Sequence, residues 1–208
     1  IENMKISIDE VRSQNKICEG TICYTNDVTN QEEKKYNLKY YINLAKELEK
    51  AGSHIIAIKD MAGLCKPAAI KLLIKELRNE VSLPIHFHTH DTSGLSAATV
   101  LAASKAGVDI VDVAMDAFSG GTSQPCMGSI VSALDDTDRR SLIELSSVRV
   151  INDYWEQVRS LYQDFESGLA SPASEVYLHE MPGGQFTNLK AQALSLGLED
   201  RWQEIAKT

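Results

Sequence analysis

Apolar residues along the first two-thirds of the chain alternate between short continuous runs and stripes at helical spacing. The short runs predict four strands, with the sequences GTICYT (20–25), HIIAIKD (54–60), PIHFHTH (84–90) and VDIVDVAM (108–115). The stripes predict one helix before the first strand, at about 1–15, and one after each strand. The helices after the strands are expected at about 37–51, from Pro67, from after Gly94 to about 106, and at about 125–134. Gly52 is expected to end the second helix and Pro67 to open the third. This alternation indicates an α/β fold with a parallel sheet.

Two architectures fit four strand–helix units: a small doubly wound sheet, or half of an eight-stranded (β/α)₈ barrel of the TIM type. No GxGxxG follows a predicted strand, which removes the usual argument for a dinucleotide-binding fold. The strand rhythm stops after about residue 135. A helix at 148–165, a turn-rich EMPGGQFTNL stretch and a helix at 189–207 are expected beyond it. We therefore predict a half-barrel over 1–135 and a helical extension over 136–208.

Charge and composition narrow the class of protein. With 21 basic and 29 acidic residues, the net charge of −8 argues against a nucleic-acid or anionic-membrane surface. No apolar run approaches the roughly 20 residues that cross a bilayer, and the first residues lack a signal-peptide layout. The cysteines form no CxxC pair, which favours reduced thiols. A cytoplasmic location is expected, or the mitochondrial matrix in a eukaryote.

Three histidines follow one another at every second position of the third predicted strand. Alternate side chains of a strand share a face, so His86, His88 and His90 are expected to point the same way. Two imidazoles at this spacing can hold one metal ion. The chain has only five histidines, so three on one face favour a metal site over chance or over ordinary core histidines.

Lys59 ends the apolar strand IIAIK, where a lysine is costly unless it has a partner or a chemical task. A strand-end lysine that reaches solvent explains the same observation. Its position one strand before the histidines, at the same carboxyl end, favours a task, because barrel enzymes place catalytic residues there.

The loop FSGGTSQP after the fourth predicted strand offers hydrogen-bonding groups at the same end of the sheet: Thr122, Ser123 and Gln124. An N-cap for the helix that follows, supplied by Thr122 or Ser123 ahead of Pro125, explains these residues as well. Both interpretations can hold together.

Four motifs resemble the carboxyltransferase domain of the pyruvate carboxylase family: IKDMAGL (58–64), HTHDTSG (88–94), SGGTSQP (119–125) and EMPGGQFTNL (180–189). CYTND (23–27) and EVYLHE (175–180) fit as well, so the match runs along nearly the whole chain in order. The first two motifs are shared with the alpha subunit of oxaloacetate decarboxylase and with the pyruvate-acting subunit of transcarboxylase. The spacing of EVY and PGGQFTNL resembles the pyruvate carboxylases most.

The resemblance implies a metal site. Lys59 matches the family's carbamylated lysine, and His88 and His90 match its two histidine ligands, with His86 as a neighbour. Met61 and Thr122 would line the site. The fourth ligand of the family is an aspartate on the first barrel strand. Imidazoles and oxygen anions suit zinc, manganese or cobalt alike.

The implied reaction moves a carboxyl group from carboxybiotin to the enol of pyruvate and gives oxaloacetate. Biotin would be attached to a separate carrier domain, while ATP and bicarbonate would be used by another domain of the parent polypeptide. The family forms tetramers, and neither nucleic acid nor a membrane is an expected partner.

The chain also departs from the family pattern. It supplies four strands of eight, and the family's proton-shuttling threonine, in a TPSSK motif, falls after Thr208. The first-strand aspartate and the arginine and glutamine that hold pyruvate belong to the other barrel half. Cys65 and Gly121 stand where relatives carry other residues. The chain alone is therefore expected to be inactive.

Three alternatives stay open from the sequence. An oxaloacetate decarboxylase would share the site and run the chemistry in reverse. A metal-dependent Claisen lyase or synthase also uses an HxH pair, but those enzymes lack the KDMAG lysine, so Lys59 argues against them. A folding or assembly fragment without catalysis should contain no metal.

Overall fold

The strands of the described residues form a single sheet. The computed structural model describes residues 1–166 and 171–205. Four strands form one sheet in the order β1-β2-β3-β4: β1 Glu19–Cys23, β2 Ile55–Asp60, β3 Ile85–Thr89 and β4 Ile110–Val111. The ladders β1–β2 and β3–β4 are parallel. The predicted α/β fold with a parallel sheet is confirmed.

Helices follow the strands and are the main elements of the described residues beyond β4. The α-helices are α1 Glu2–Ser13, α2 Leu38–Ala51, α3 Pro67–Glu80, α4 Ser96–Ala106, α5 Met127–Leu134, α6 Leu145–Val158, α7 Val176–His179, α8 Gly183–Ser195 and α9 Trp202–Ile205. Short 3₁₀ segments lie at Asp116–Phe118, Arg159–Phe165 and Glu199–Arg201. Within the described ranges, no helix is long and apolar enough to cross a membrane.

The predicted signals at Gly52 and Pro67 are confirmed, and a side-chain cap that was not predicted begins α2. Asn37 caps α2, since its side-chain oxygen accepts a hydrogen bond from the amide of Tyr40 at 3.2 Å. Gly52 ends the same helix with φ +98°, a left-handed conformation that favours glycine. Pro67 is the first residue of α3, where its missing amide hydrogen costs nothing.

Two predicted boundaries are wrong. The fourth strand was expected over 108–115, but β4 contains only Ile110–Val111. Beyond it, Ala114 pairs with Cys126 instead, and its amide donates to the carbonyl of Pro125 at 2.9 Å. The helix expected over 148–165 begins earlier, at Leu145, and continues as a 3₁₀ segment after Val158.

The stretch EMPGGQFTNL is helical from Gly183 onward, so the prediction of a turn-rich segment is wrong. Glycine and proline oppose the interior of a helix but not its first turn, because the first four amide groups have no partner inside the helix. The helix predicted over 189–207 is interrupted after Ser195, and positions 206 and 207 lie outside the described residues.

The chain divides into two compact units. The first unit comprises Ile1–Asp60, Cys65–His88 and Ala98–Asp112, and the second comprises Met61–Leu64, Thr89–Ala97 and Val113–Thr208. The core of the first unit consists of apolar side chains from the strands and from α2, α3 and α4. Its largest fully buried members are Ile22, Tyr41, Leu48, Ile56, Ile58, Ile70, Leu73, Ile74, Leu77, Ile85, Phe87 and Val100.

In the second unit, helix α6 packs against α5 and the 3₁₀ turn Asp116–Phe118. The ring of Phe118 makes edge-to-face contacts with Trp155 and Tyr162, at centroid distances of 5.6 and 5.8 Å. The backbone at Gly63 passes close to His90, because a Cβ added at Gly63 would lie 2.5 Å from the carbonyl oxygen of His90. Only glycine fits there.

Replacing Leu73 by alanine tests the core of the first unit. Leu73 is fully buried on α3, so Leu73→Ala is expected to lower the free energy of unfolding by about 2–5 kcal/mol. Lys75→Ala, at an exposed position of the same helix, should change it by less than about 0.5 kcal/mol. Thermal unfolding of both variants measures the difference, and equal midpoints would show that α3 does not bury this face.

Candidate active site

Lys59 and His88 lie side by side at the carboxyl end of neighbouring strands. The amide of Ile56 donates to the carbonyl of Pro84 at 3.0 Å. In a parallel ladder this bond pairs Ile56 with Ile85, and the same register three residues later pairs Lys59 with His88. On the other side of β2, Cys23 of β1 pairs with Lys59. Cys23, Lys59 and His88 all belong to the first unit, so this neighbourhood is a property of that unit alone.

The two faces of these strands differ in character. Lys59 is exposed, whereas its chain neighbours Ile58 and Asp60 are buried on the opposite face. On β3, His86 and His88 are half-buried and alternate with buried residues at 85, 87 and 89. The predicted shared face of these two histidines is therefore confirmed. The third histidine of the motif, His90, follows the last residue of β3 and belongs to the second unit.

His88 is oriented by a carboxylate. Its Nδ1 lies 2.7 Å from Oδ2 of Asp112, which follows β4 in the first unit. A carboxylate only accepts hydrogen bonds, so Nδ1 of His88 carries a proton. In a neutral ring the lone pair is then on Nε2, and that is the nitrogen that can bind a metal ion.

His86 has a different environment on the same face. Its Nδ1 lies 2.9 Å from Oε2 of Glu19, and its Nε2 lies 3.0 Å from Oδ1 of Asp112. These carboxylates, Asp112 foremost, raise the pKa of His86 to about 9, although burial opposes the shift. Hydrogen bonds from His86 and His88 hold the pKa of Asp112 well below its usual range. An imidazolium has no lone pair to offer, so His86 is a poor metal ligand.

His90 is oriented by the backbone of the FSGGTSQP loop. Its Nδ1 lies 2.6 Å from the carbonyl oxygen of Thr122, within the second unit. A carbonyl only accepts, so this contact again assigns the proton to Nδ1 and the lone pair to Nε2. The amide of Asp91 donates to the carbonyl of Ser123 at 2.8 Å and fastens the same loop beside His90.

The PGGQ segment lies against the same part of the second unit. The amide of Gly183 donates to the carbonyl of Met61 at 3.0 Å. A Cβ at Gly183 would approach both Nδ1 of His90 and Cβ of Thr122 to 3.2 Å. Met61, His90 and Thr122 are thus brought together around a glycine that leaves no room for a side chain. Sequence reasoning missed this role; the signal was the pair of adjacent glycines.

Asp112 and Glu19 were also missed. Asp112 stands in the apolar run VDIVDVAM, so the reasoning applied to Lys59, a charge at the end of an apolar strand, could have found it. No comparable signal marks Glu19, an exposed residue at the start of β1.

The donor set fits a divalent cation in part. Across residues 1–166 and 171–205, no group of three or more histidine, cysteine, aspartate or glutamate side chains is arranged to hold a metal ion. The metal-ligand set predicted from the sequence does not consist of three such side chains of this chain, because it contains a lysine and an aspartate from outside this chain. His88 and His90 each direct a proton-bearing Nδ1 at an acceptor, which is the arrangement that metal-binding histidines require.

The fold and the residues at its carboxyl edge are those of an α/β protein of the HMGL-like class. The HMGL-like family model matches residues 2–154, and a conserved carboxylase domain, PYC_OADA, matches residues 176–208. The chain belongs to the HMGL-like family.

Its relatives are pyruvate carboxylases. Those of Staphylococcus aureus and Bacillus subtilis are 50% and 47% identical to 99% of this chain. The chain spans 18% of the length of each. The carboxyl transferase domain of Rhizobium etli pyruvate carboxylase, solved with pyruvate, is 64% identical with a TM-score of 0.96. That comparison covers 99% of this chain and 35% of the solved one. The resemblance to pyruvate carboxylase carboxyltransferase domains is confirmed.

Alanine substitutions at the three histidines test the ligand assignment. In the full-length protein, His88→Ala and His90→Ala are each expected to remove most of the bound metal, because each deletes an Nε2 donor. His86→Ala should remove less, since both nitrogens of His86 face carboxylates. Metal content per protomer, measured by plasma mass spectrometry, gives the comparison. Equal loss in all three variants would contradict the choice of His88 and His90.

Proposed function

We propose that the chain is part of the carboxyltransferase domain of a biotin-dependent pyruvate carboxylase. In that domain a carboxyl group passes from carboxybiotin to pyruvate and gives oxaloacetate. The observation that carries the proposal is the hydrogen bond from Ile56 to Pro84 between β2 and β3, because the register that it implies pairs Lys59 with His88. The 64% identity to a domain solved with pyruvate supports the substrate.

The proposed metal ligands are Lys59, His88 and His90, together with an aspartate supplied by another part of the polypeptide. The amine of Lys59 would add to carbon dioxide, lose one proton and become a carbamate, whose oxygen is an anionic ligand. The exposure of Lys59 supports this step, because carbon dioxide must reach the amine. A zinc, manganese or cobalt ion there would supply positive charge beside the enolate oxygen of pyruvate.

The remaining site residues would position the ring of His90 or line the site. Thr122 holds the ring of His90 through its carbonyl oxygen, and Gly183 leaves space beside that ring. Met61, whose carbonyl receives the amide of Gly183, would line the site with its side chain. Thr122 is proposed as a lining residue and not as a proton shuttle.

The architecture proposed for the intact domain is an eight-stranded barrel of which residues 1–135 form the second half. Strand order equal to chain order supports this, since a doubly wound sheet reverses its order at a switch point. Residues 136–208 would form the helical extension, in agreement with the absence of strands beyond 135 in the part of the chain that is described.

The parent protein would provide the other components. Biotin would be carried on a separate domain, ATP and bicarbonate would be consumed by another, and the assembly would be a homo-tetramer. A cytoplasmic or mitochondrial-matrix location stays a prediction. The carboxylase-domain match over 176–208 favours a biotin-dependent enzyme over a Claisen lyase or synthase.

Replacing Lys59 tests the proposed reaction. In the full-length protein, Lys59→Ala is expected to abolish oxaloacetate formation, because the carbamate ligand is lost, while bicarbonate-dependent ATP cleavage with biotin continues. Lys105→Ala, at an exposed position of α4, is the matched control and should retain both activities. Separate assays of the two half-reactions measure the outcome. Normal oxaloacetate production by Lys59→Ala would refute the assignment.

A further inference from the structure

Four polar side chains form a continuous chain of contacts across the sheet face that carries Lys59. The contacts run from Glu19 to His86 at 2.9 Å, from His86 to Asp112 at 3.0 Å, and from Asp112 to His88 at 2.7 Å. All four residues belong to the first unit. They come from three different strands or strand ends, so only the folded sheet assembles them.

Asp112 is the centre of this chain. One oxygen, Oδ1, faces His86, and the other, Oδ2, faces His88. The carboxylate therefore cannot rotate without losing contact with one ring. Its backbone is fastened as well, because the amide of Asp112 donates to the carbonyl of Phe87 at 3.3 Å, between the two histidines on β3. Asp112 is held both by its main chain and by its side chain.

His86 lies between two carboxylates, with Nδ1 2.9 Å from Glu19 and Nε2 3.0 Å from Asp112. Its side chain is only 14% exposed, so truncation of this side chain would leave Asp112 without its second partner in a half-buried place. Glu19 fixes the far nitrogen of His86. The geometry gives His86 a task that does not require it to touch a metal ion.

We propose that Asp112, braced by His86 and Glu19, is a positioning residue that sets the tautomer and ring orientation of His88 for metal binding. The inference rests on the proposed function, because it takes His88 as a ligand. Partners of this kind around metal-binding histidines typically change metal affinity by about 10- to 100-fold. His90 has a different partner, the carbonyl of Thr122, so a change at Asp112 acts on one ligand only.

The test is the affinity of the full-length Asp112→Asn protein for Co²⁺. Asparagine has the same shape, but its amide nitrogen donates, so it can accept a hydrogen bond from only one of the two rings. Affinity for Co²⁺, measured by competition with a chelator, is expected to fall about 10- to 100-fold. The absorption spectrum of bound Co²⁺ should also change, because the geometry of one ligand changes.

Asp109→Asn is the matched control. Asp109 lies just before β4 and contacts Arg78 and the amide of Ile85 instead of a histidine ring. Its loss is expected to lower the thermal unfolding midpoint and to leave Co²⁺ affinity unchanged. A merely structural role of Asp112 would give the same pattern as Asp109, and that result would overturn the inference.

The variant His88→Ala distinguishes a failure of the positioning role of Asp112 from a failure of the proposed ligand assignment. If His88→Ala loses metal while Asp112→Asn binds Co²⁺ like the unmodified protein, the positioning role is refuted and the ligand assignment stands. If His88→Ala binds Co²⁺ normally, the ligand assignment fails, and the inference fails with it.

If Asp112→Asn does not fold, two variants at His86 test the same inference. Glutamine can replace the Nε2 donor of histidine, so His86→Gln should keep the contact with Asp112 and retain Co²⁺ affinity. His86→Ala removes that contact and should weaken Co²⁺ binding by about 10-fold, less than the loss in His88→Ala. Equal affinities in the two His86 variants would contradict the bracing role.

Discussion

The register between β2 and β3 is the constraint on which the candidate site depends. One backbone hydrogen bond, from the amide of Ile56 to the carbonyl of Pro84, determines that Lys59 lies beside His88. A slip by one residue would turn the side chains of a strand to the opposite face. Buried Ile58 and Phe87 oppose this slip, because it would expose them to solvent. The apolar core therefore holds the polar chemistry in alignment.

The three histidines of the HFHTH segment illustrate how environment divides identical side chains into different roles. His86 faces two carboxylates, His88 faces one carboxylate, and His90 faces a backbone carbonyl. The first environment favours a cation. In the other two, the acceptor assigns the proton to Nδ1, so that a neutral ring carries its lone pair on Nε2. This difference supports a two-histidine ligand set, and it follows from hydrogen-bond partners that lie far away in the sequence.

The elements that periodicity predicted well are those whose burial is one-sided or complete. The strands β2 and β3, both ends of α2 and the start of α3 were predicted to within one residue, because signals such as Gly52 and Pro67 act locally on the backbone. The errors arose where tertiary pairing overrides local preference. The apolar run at 108–115 reads as one strand, yet after Val111 the backbone pairs with the segment around Cys126. In the same way, glycines that usually indicate a turn begin helix α8.

The sequence by itself determined the fold class, the family and the residues most suited to a metal site, since periodicity, caps and ordered motifs are all local or linear properties. Only the tertiary structure decided which groups orient those residues. Glu19 and His86 are 67 positions apart, and Asp112 follows His88 by 24. Hydrogen bonds across a sheet join strands that the chain separates by a helix, so the partner of a charged side chain is defined only once the register exists.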